Sequence, residues 1–558
     1  MIAPAIEQLA RIERPLAKRW VIALCVIMSI VWFANLDARR LIKTDEGRYA
    51  EIAREMLVSG DWVTPRSNDY KYFYKPPLQY WATAAAFAAF GQHDWTARLW
   101  TALTAWLGIL FCAFAAGRIW GEATGVAAAA VLAGCLYWVV MGHFAALDMG
   151  LASFLSIAIF AFALAQRDEA TTQARRLWML TAWAAMALAV LSKGLIGIVL
   201  PAGAIGAYVL WQRDWRLLGR MQWLGGIAVF AVVAVPWFVL VSMRNPEFAE
   251  FFFVREHFTR FLTKIHGREA PWWTFIPVLL VGLMPFTLAL GHAAREGVRR
   301  TSGRFQPQRL LLAWIVVVFT FFSMSSSKLA SYILPIAPAL AVLAAIALTR
   351  CSQRTLLWQW APITLIGIAM AATAVFFPSL GLGASDLAVH APAYAGWILV
   401  AGITLAIAAT IALLVARIGH RTGAIAILAL GGLAMGQLLV TGHDSFSPVL
   451  SSYHIAQKIK PAITPETVLF AVDTYDHTLP YYLGRTLKMV AYKDELAPSI
   501  AWEPGKFIAD YDAFERAWHA APAAIALMSP REHQTFSERG LPMAVLASDT
   551  RRIIVKKP

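Results

Sequence analysis

Apolar runs of roughly 17 to 25 residues recur along most of the chain, each long enough to cross a bilayer core of about 30 Å as a helix. They fall at residues 20–36, 99–116, 123–141, 149–165, 177–191, 195–211, 223–242, 273–291, 310–324, 332–348, 356–377, 394–415 and 424–441. About thirteen spanning helices result, which makes the chain a polytopic α-helical membrane protein. The 558 residues are 59% hydrophobic and only 15% charged, a balance that an ordinary soluble domain does not reach.

Orientation follows from the loops, because short cytoplasmic connections are enriched in Lys and Arg. The first run follows Arg11, Arg14, Lys18 and Arg19 without a small-residue cleavage site after it, so it reads as a retained anchor with its N-terminus inside. Alternation then places Arg118, Arg167, Arg175, Arg176, Arg213, Arg216, the basic stretch 295–309, Arg350, Arg354, Arg417 and Arg421 inside as well. The loop 37–95 and everything after residue 441 fall on the opposite, periplasmic side. Topology accounts for much of the net charge of +15, so that charge does not argue for a nucleic-acid partner.

Two parts follow: a membrane part, 1–441, and an exported part, 442–558. In the second, short β-rich runs at 468–472, 487–492, 525–528 and 543–546 alternate with helical stretches such as 510–520, the pattern of a small α/β domain. It has no glycine-rich phosphate loop and no nucleophile motif, so it is expected to support the site or contact an acceptor. The four cysteines, Cys25, Cys112, Cys135 and Cys351, all lie in spans or inside loops, leaving no exported pair and no metal-spaced cluster.

Chemistry is expected where ionisable residues gather on the periplasmic side. The loop 37–95 opens with Thr44-Asp45-Glu46-Gly47-Arg48-Tyr49, two adjacent carboxylates just past a span. Thr44 as the cap of a helix starting at Asp45 is the plain structural alternative. Further on, Tyr72-Phe73-Tyr74-Lys75-Pro76-Pro77 sets a lysine among aromatics, which a snorkelling interfacial lysine would also explain. Asp148 lies at or near bilayer depth, where an acid without a task is costly. Lys193, then Arg255, Glu256, His257, Arg260, His266 and Arg268, then Lys328 and Tyr332 complete the same face. Cations in these outer turns run against the charge bias of the inner loops, and an anionic ligand such as a phosphate explains them.

A transporter would instead show interrupted spans in related halves with ionisable groups near the midplane. A scaffold or binding protein using its exported part would use the loop charges only as headgroup contacts.

Taken together, Asp45-Glu46-Gly47-Arg48-Tyr49, Lys75-Pro76-Pro77-Leu78, Leu147-Asp148, Lys193-Gly194, Glu256-His257 with Arg260 and His266, and Ser327-Lys328 before Tyr332 resemble the lipid A aminoarabinose transferases. That family shares a superfamily with the protein O-mannosyltransferases. The resemblance implies a GT-C glycosyltransferase fold of thirteen helices with a terminal periplasmic α/β domain. It implies transfer of 4-amino-4-deoxy-L-arabinose from undecaprenyl phosphate to a lipid A phosphate at the inner membrane, with resistance to polymyxin-type peptides. Relatives of this architecture also move other polyprenyl-phosphate-linked sugars to protein or glycan acceptors.

On this reading Asp45, Lys75 and Asp148 are the catalytic candidates, and Glu46, Arg48, Tyr49, Tyr74, Lys193, Arg260, Lys328 and Tyr332 the substrate contacts. Asp148 or Glu46 is expected to pair with the sugar's ammonium. No cofactor is required for the chemistry, whereas Glu256, His257 and His266 are the residues a structural divalent ion would use. The expected partners are the lipid-linked donor, lipid A and membrane lipids, with the chain acting as a monomer.

Overall fold

The computed structural model describes residues 18–259, 270–376 and 386–558. Among them nine helices are long and apolar enough to cross a membrane, two further spans are bent pairs, and Arg19–Phe33 and Ile196–Gln212 are shorter apolar helices. Together these make thirteen, one for each apolar run in the sequence. The protein is thus a multi-pass membrane protein. Leu147–Gln166 is the innermost span, with 94% of its apolar window buried, while Trp223–Arg244 has only 22% buried and lies at the periphery.

Two runs expected as single spans are broken. Glu122–Gly134 and Leu136–His143 meet at 61°, and Trp272–Gly282 and Thr287–Val298 at 116°. A break at this depth frees backbone groups that hydrocarbon cannot satisfy, so protein must satisfy them. The two breaks do this for each other: the Leu136 amide donates to the Met284 carbonyl at 3.0 Å, and the Cys135 thiol to the Gly282 carbonyl at 3.1 Å. Helix Arg421–Gly442 passes both at Gly432, where a Cβ would lie 2.4 Å from the Gly134 carbonyl oxygen and 2.6 Å from Pro285.

The loop after the first span is folded. Helix Asp45–Ser59 starts where the sequence places it, but Thr44 makes no side-chain cap bond. Strands β1 (Arg66–Ser67) and β2 (Tyr70–Lys71) pair antiparallel, strand structure earlier in the chain than expected, and helix Leu78–Phe90 leads back toward the membrane.

After residue 442 come β3 (Thr467–Val472), β4 (Lys488–Val490), β5 (Ala523–Met528), β6 (Ala544–Ser548) and β7 (Ile553–Lys556). They form one sheet of order β4-β3-β5-β7-β6. β3 runs parallel to β4 and β5, while β7 is antiparallel to β5 and β6. The sequence reading omitted β7, a four-residue strand at the end of the chain, although it joins β6 to the rest of the sheet.

The loop and this domain share one core, in which Leu41, Ile52, Tyr70 and Tyr80 pack with Ile455, Leu469, Leu479 and Met489. Asn68 fixes the contact by donating to the Leu487 carbonyl at 2.8 Å and accepting the Leu487 amide at 2.7 Å. Gly47 permits the closest approach, since a Cβ there would lie 2.5 Å from Thr478 Cγ2 and 2.9 Å from its amide nitrogen. Gly47→Val is therefore expected to cost about 1–3 kcal/mol through overpacking against backbone. Thermal denaturation of the purified protein checks it, and an unchanged midpoint would refute the close contact.

Candidate active site

Glu46 organises the site from beneath. It is 2% exposed; its Oε2 accepts from Arg39 Nη1 at 2.6 Å and its Oε1 from Arg98 Nε at 2.9 Å. The Ile42 and Ala145 amides add bonds at 3.2 and 3.0 Å. With both oxygens occupied, Glu46 is a buried structural anchor and not the substrate contact or ammonium partner the sequence suggested. Burial alone would raise its pKa, but Arg39 and Arg98 hold it far below the usual carboxylate range. Because Ala145 lies just ahead of helix Leu147–Gln166, this one carboxylate ties the segment bearing Asp45 to the one bearing Asp148.

In the same first turn Arg48 bridges Asp45 and Glu495, giving one guanidinium nitrogen to each. The Asp45 side chain stays 51% exposed, open to a ligand. Glu495 comes from the C-terminal domain, and its other oxygen lies 3.1 Å from His477 Nε2. The Tyr74 hydroxyl donates to the Glu495 carbonyl at 2.7 Å. Tyr49 is buried, with its ring 5.8 Å from that of Tyr80 and 5.2 Å from the Arg48 guanidinium carbon. Burial raises its pKa and Asp45 raises it further, with Asp148 acting in the same direction, so this phenol lies within the field of both acids.

Asp148 stands in the first turn of Leu147–Gln166, where the helix N-terminus favours negative charge, and forms an ion pair with Lys193. The Lys193 ammonium sits 4.9 Å from the centre of the Tyr332 ring. Lys75 Nζ is 3.9 Å from Glu256 Oε2, both largely buried. Lys328 turns back to donate to the Ser325 carbonyl at 2.6 Å, so its ammonium supports its own turn.

The structure thus gathers the candidates into three charged groups: Asp45 with Arg48, Asp148 with Lys193 and Tyr332, and Lys75 with Glu256. Arg260 and His266 lie outside the described residues, as does the side chain of His257. Among the described residues no cluster of three or more His, Cys, Asp or Glu is placed to hold a metal. Two of the three residues expected to hold an ion, His257 by its side chain and His266 altogether, lie outside the described residues.

Sequence reading missed Glu495 and His477. Both sit in a region without a motif, and only folding brings them to Arg48. Burial lowers the His477 pKa, and Glu495 opposes this without reversing it. In the unfolded chain His477 would take a proton near pH 6.5, so stability contributed by the neutral folded form is lost as pH falls below about 6.5. Comparing melting at pH 7.5 and pH 5 should show a larger loss in the wild type than in His477→Asn. Equal losses would refute the assignment.

Residues 455–557 match the aminoarabinose transferase C-terminal domain, and residues 18–252 the dolichyl-phosphate-mannose-protein mannosyltransferase domain. The undecaprenyl phosphate-aminoarabinose arabinosyl transferase of Aeromonas salmonicida is 32% identical over 400 residues, 69% of this chain and 72% of that protein. For the Erwinia tasmaniensis enzyme of the same name the match is 31% over 328 residues, and the chain spans 59% of that relative's length. The crystal structure of ArnT from Cupriavidus metallidurans bound to undecaprenyl phosphate superposes with a TM-score of 0.93 at 37% identity, covering 97% of this chain and 98% of that one. An Archaeoglobus fulgidus oligosaccharyltransferase, at 13% identity and a TM-score of 0.52, shares the fold. The chain belongs to the undecaprenyl phosphate-aminoarabinose arabinosyl transferase family, within the polyprenyl-phosphate-dependent glycosyltransferases of GT-C fold.

Proposed function

We propose that the chain transfers 4-amino-4-deoxy-L-arabinose from undecaprenyl phosphate to a phosphate of lipid A at the periplasmic face of the bacterial inner membrane, conferring resistance to polymyxin-type peptides. The observation that carries this reading is an exposed acid, Asp45, set among buried charged groups in a chain that superposes almost end to end on a relative that binds undecaprenyl phosphate. The basic connections on the opposite face support the orientation.

In the reaction an oxygen of the acceptor phosphate attacks the anomeric carbon. The bond from that carbon to the donor's phosphate oxygen breaks, and undecaprenyl phosphate leaves with the electron pair. Charge grows on the leaving phosphate, so a cation already fixed there stabilises the transition state more than the ground state. Lys75 takes this role, together with Arg260 as the sequence expects. A phosphate acceptor is already anionic and needs no strong base, so Asp45 orients it or stabilises positive charge developing on the sugar. With Glu46 enclosed by Arg39 and Arg98, Asp148, which pairs with the single ammonium of Lys193, is the acid proposed for the sugar's ammonium.

A monophosphate leaving group is held by these side chains without a metal ion, and a single displacement inverts the anomeric configuration. The chain is proposed to act as a monomer. The test incubates purified protein in vesicles with the lipid-linked donor and lipid A, followed by mass spectrometry. An aminopentose on lipid A phosphate supports the proposal; transfer of another sugar, or to another acceptor, overturns it.

A further inference from the structure

Two cations where the loop strand ahead of Asp45 meets the C-terminal domain have no carboxylate partner in the arrangement so far described. Lys43 precedes Asp45 by two residues, and its backbone amide donates to the Leu450 carbonyl at 2.8 Å. Arg551, in the turn before β7, donates a guanidinium nitrogen to the neighbouring Val449 carbonyl. Adjacent carbonyls at the end of helix Ser447–Leu450 therefore pin the loop strand carrying Lys43 and the turn carrying Arg551 next to each other. Among the described residues neither side chain forms an ion pair, and the Lys43 ammonium makes no hydrogen bond.

Two of the three acids nearby, Asp476 and Asp549, are already taken. Arg552 binds Asp476 Oδ2 at 2.9 Å through Nη1 and Asp549 Oδ2 at 2.7 Å through Nε, and Asp476 Oδ1 also accepts the Thr478 hydroxyl at 2.6 Å. Burial lowers the pKa of Lys43, and the Arg551 charge lowers it further; burial and Arg552 do the same to Arg551. These two cations thus repel each other; Asp476, bonded to Arg552, and Asp386 soften the repulsion, and neither forms an ion pair with Lys43 or Arg551 among the described residues. An anion between them would relieve it.

We propose that Lys43 and Arg551 form the subsite for the acceptor's phosphate monoester, where the loop strand leading into the helix of Asp45 meets the C-terminal domain, with Lys75 left to the donor's phosphate. The inference rests on the proposed transfer to a lipid-borne phosphate. Arg551 offers a fork that fits phosphate oxygens and Lys43 a compact charge. Holding the two phosphates on separate cations keeps the acceptor's nucleophilic oxygen from competing for Lys75.

The experiment uses the full chain in lipid nanodiscs as wild type, Lys43→Ala, Arg551→Ala, the double variant and Lys43→Arg. Two readouts are taken: the acceptor KM in transfer to diphosphorylated lipid A, and binding of glucose 1-phosphate followed by ³¹P NMR. Each alanine variant should raise the acceptor KM by about tenfold, as loss of a charge-assisted contact does, with Lys43→Arg restoring most of it. Binding of undecaprenyl phosphate should remain at the wild-type level, and the double variant should lose glucose 1-phosphate binding. An unchanged acceptor KM in a double variant that still binds undecaprenyl phosphate would overturn the subsite. If the wild type transfers to no phosphorylated lipid, the functional reading fails instead. Glucose 1-phosphate binding then decides the subsite alone: loss in the double variant upholds an anion site, and retention overturns it.

Discussion

Turnover in membrane vesicles with labelled donor is expected to fall about 10²-fold or more in Asp45→Asn and in Lys75→Ala, for different reasons. Asp45→Asn keeps the shape of a half-exposed side chain and removes only its charge, so undecaprenyl phosphate should still bind while the chemical step slows. Arg48 keeps Glu495 as a partner, so the fold around it should persist. Lys75→Ala removes the cation assigned to the leaving phosphate and leaves Glu256 without the lysine that stands 3.9 Å from it. Both kcat and donor affinity should suffer there. Lys75→Arg should be partly tolerated, because it restores charge with a bulkier, planar head. Full turnover by Asp45→Asn in folded protein would remove this residue from the chemistry and favour an interfacial role for the loop.

Glu46→Gln is expected to damage the protein more than any change at the exposed acid, although it alters one atom. Arg39 and Arg98, 2% and 1% exposed, converge on this carboxylate. Removing one member of a buried charged cluster leaves the others uncompensated, at a cost of about 3–5 kcal/mol. The Arg39 pKa is already lowered by burial and then by Arg98, and loss of Glu46 would leave that repulsion unopposed. The Ala145 amide would exchange a carboxylate acceptor for a weaker neutral amide oxygen, so the start of the helix bearing Asp148 should loosen. The expected readouts are a sharply lower melting temperature and poor recovery of folded protein. Wild-type melting with lost turnover would instead return Glu46 to the list of substrate contacts.

Among the spans, the sequence reading was right in number because bilayer thickness imposes a length on each run whatever its neighbours are. It read residues 123–141 and 273–291 each as one helix, where the structure has a bent pair. Apolar composition does not record a bend, and each break persists because Leu136 and Cys135 find the carbonyls of Met284 and Gly282 in the other.

At the site, Asp45, Lys75 and Asp148 were legible as ionisable residues standing where a membrane protein has no cheap use for them. Their neighbour Glu46 looked equivalent on the page. Its burial depends on Arg39 and Arg98, and Arg98 lies 52 positions away. Glu495, Lys43 and Arg551 carried no local signal at all. By itself the sequence determined what local rules reach: spans from apolar length, strands from short β-rich runs, and family from motif. Only the tertiary structure decided which charges are satisfied and which stand open, because burial and pairing join residues hundreds of positions apart, as Arg48 and Glu495 are, at 447.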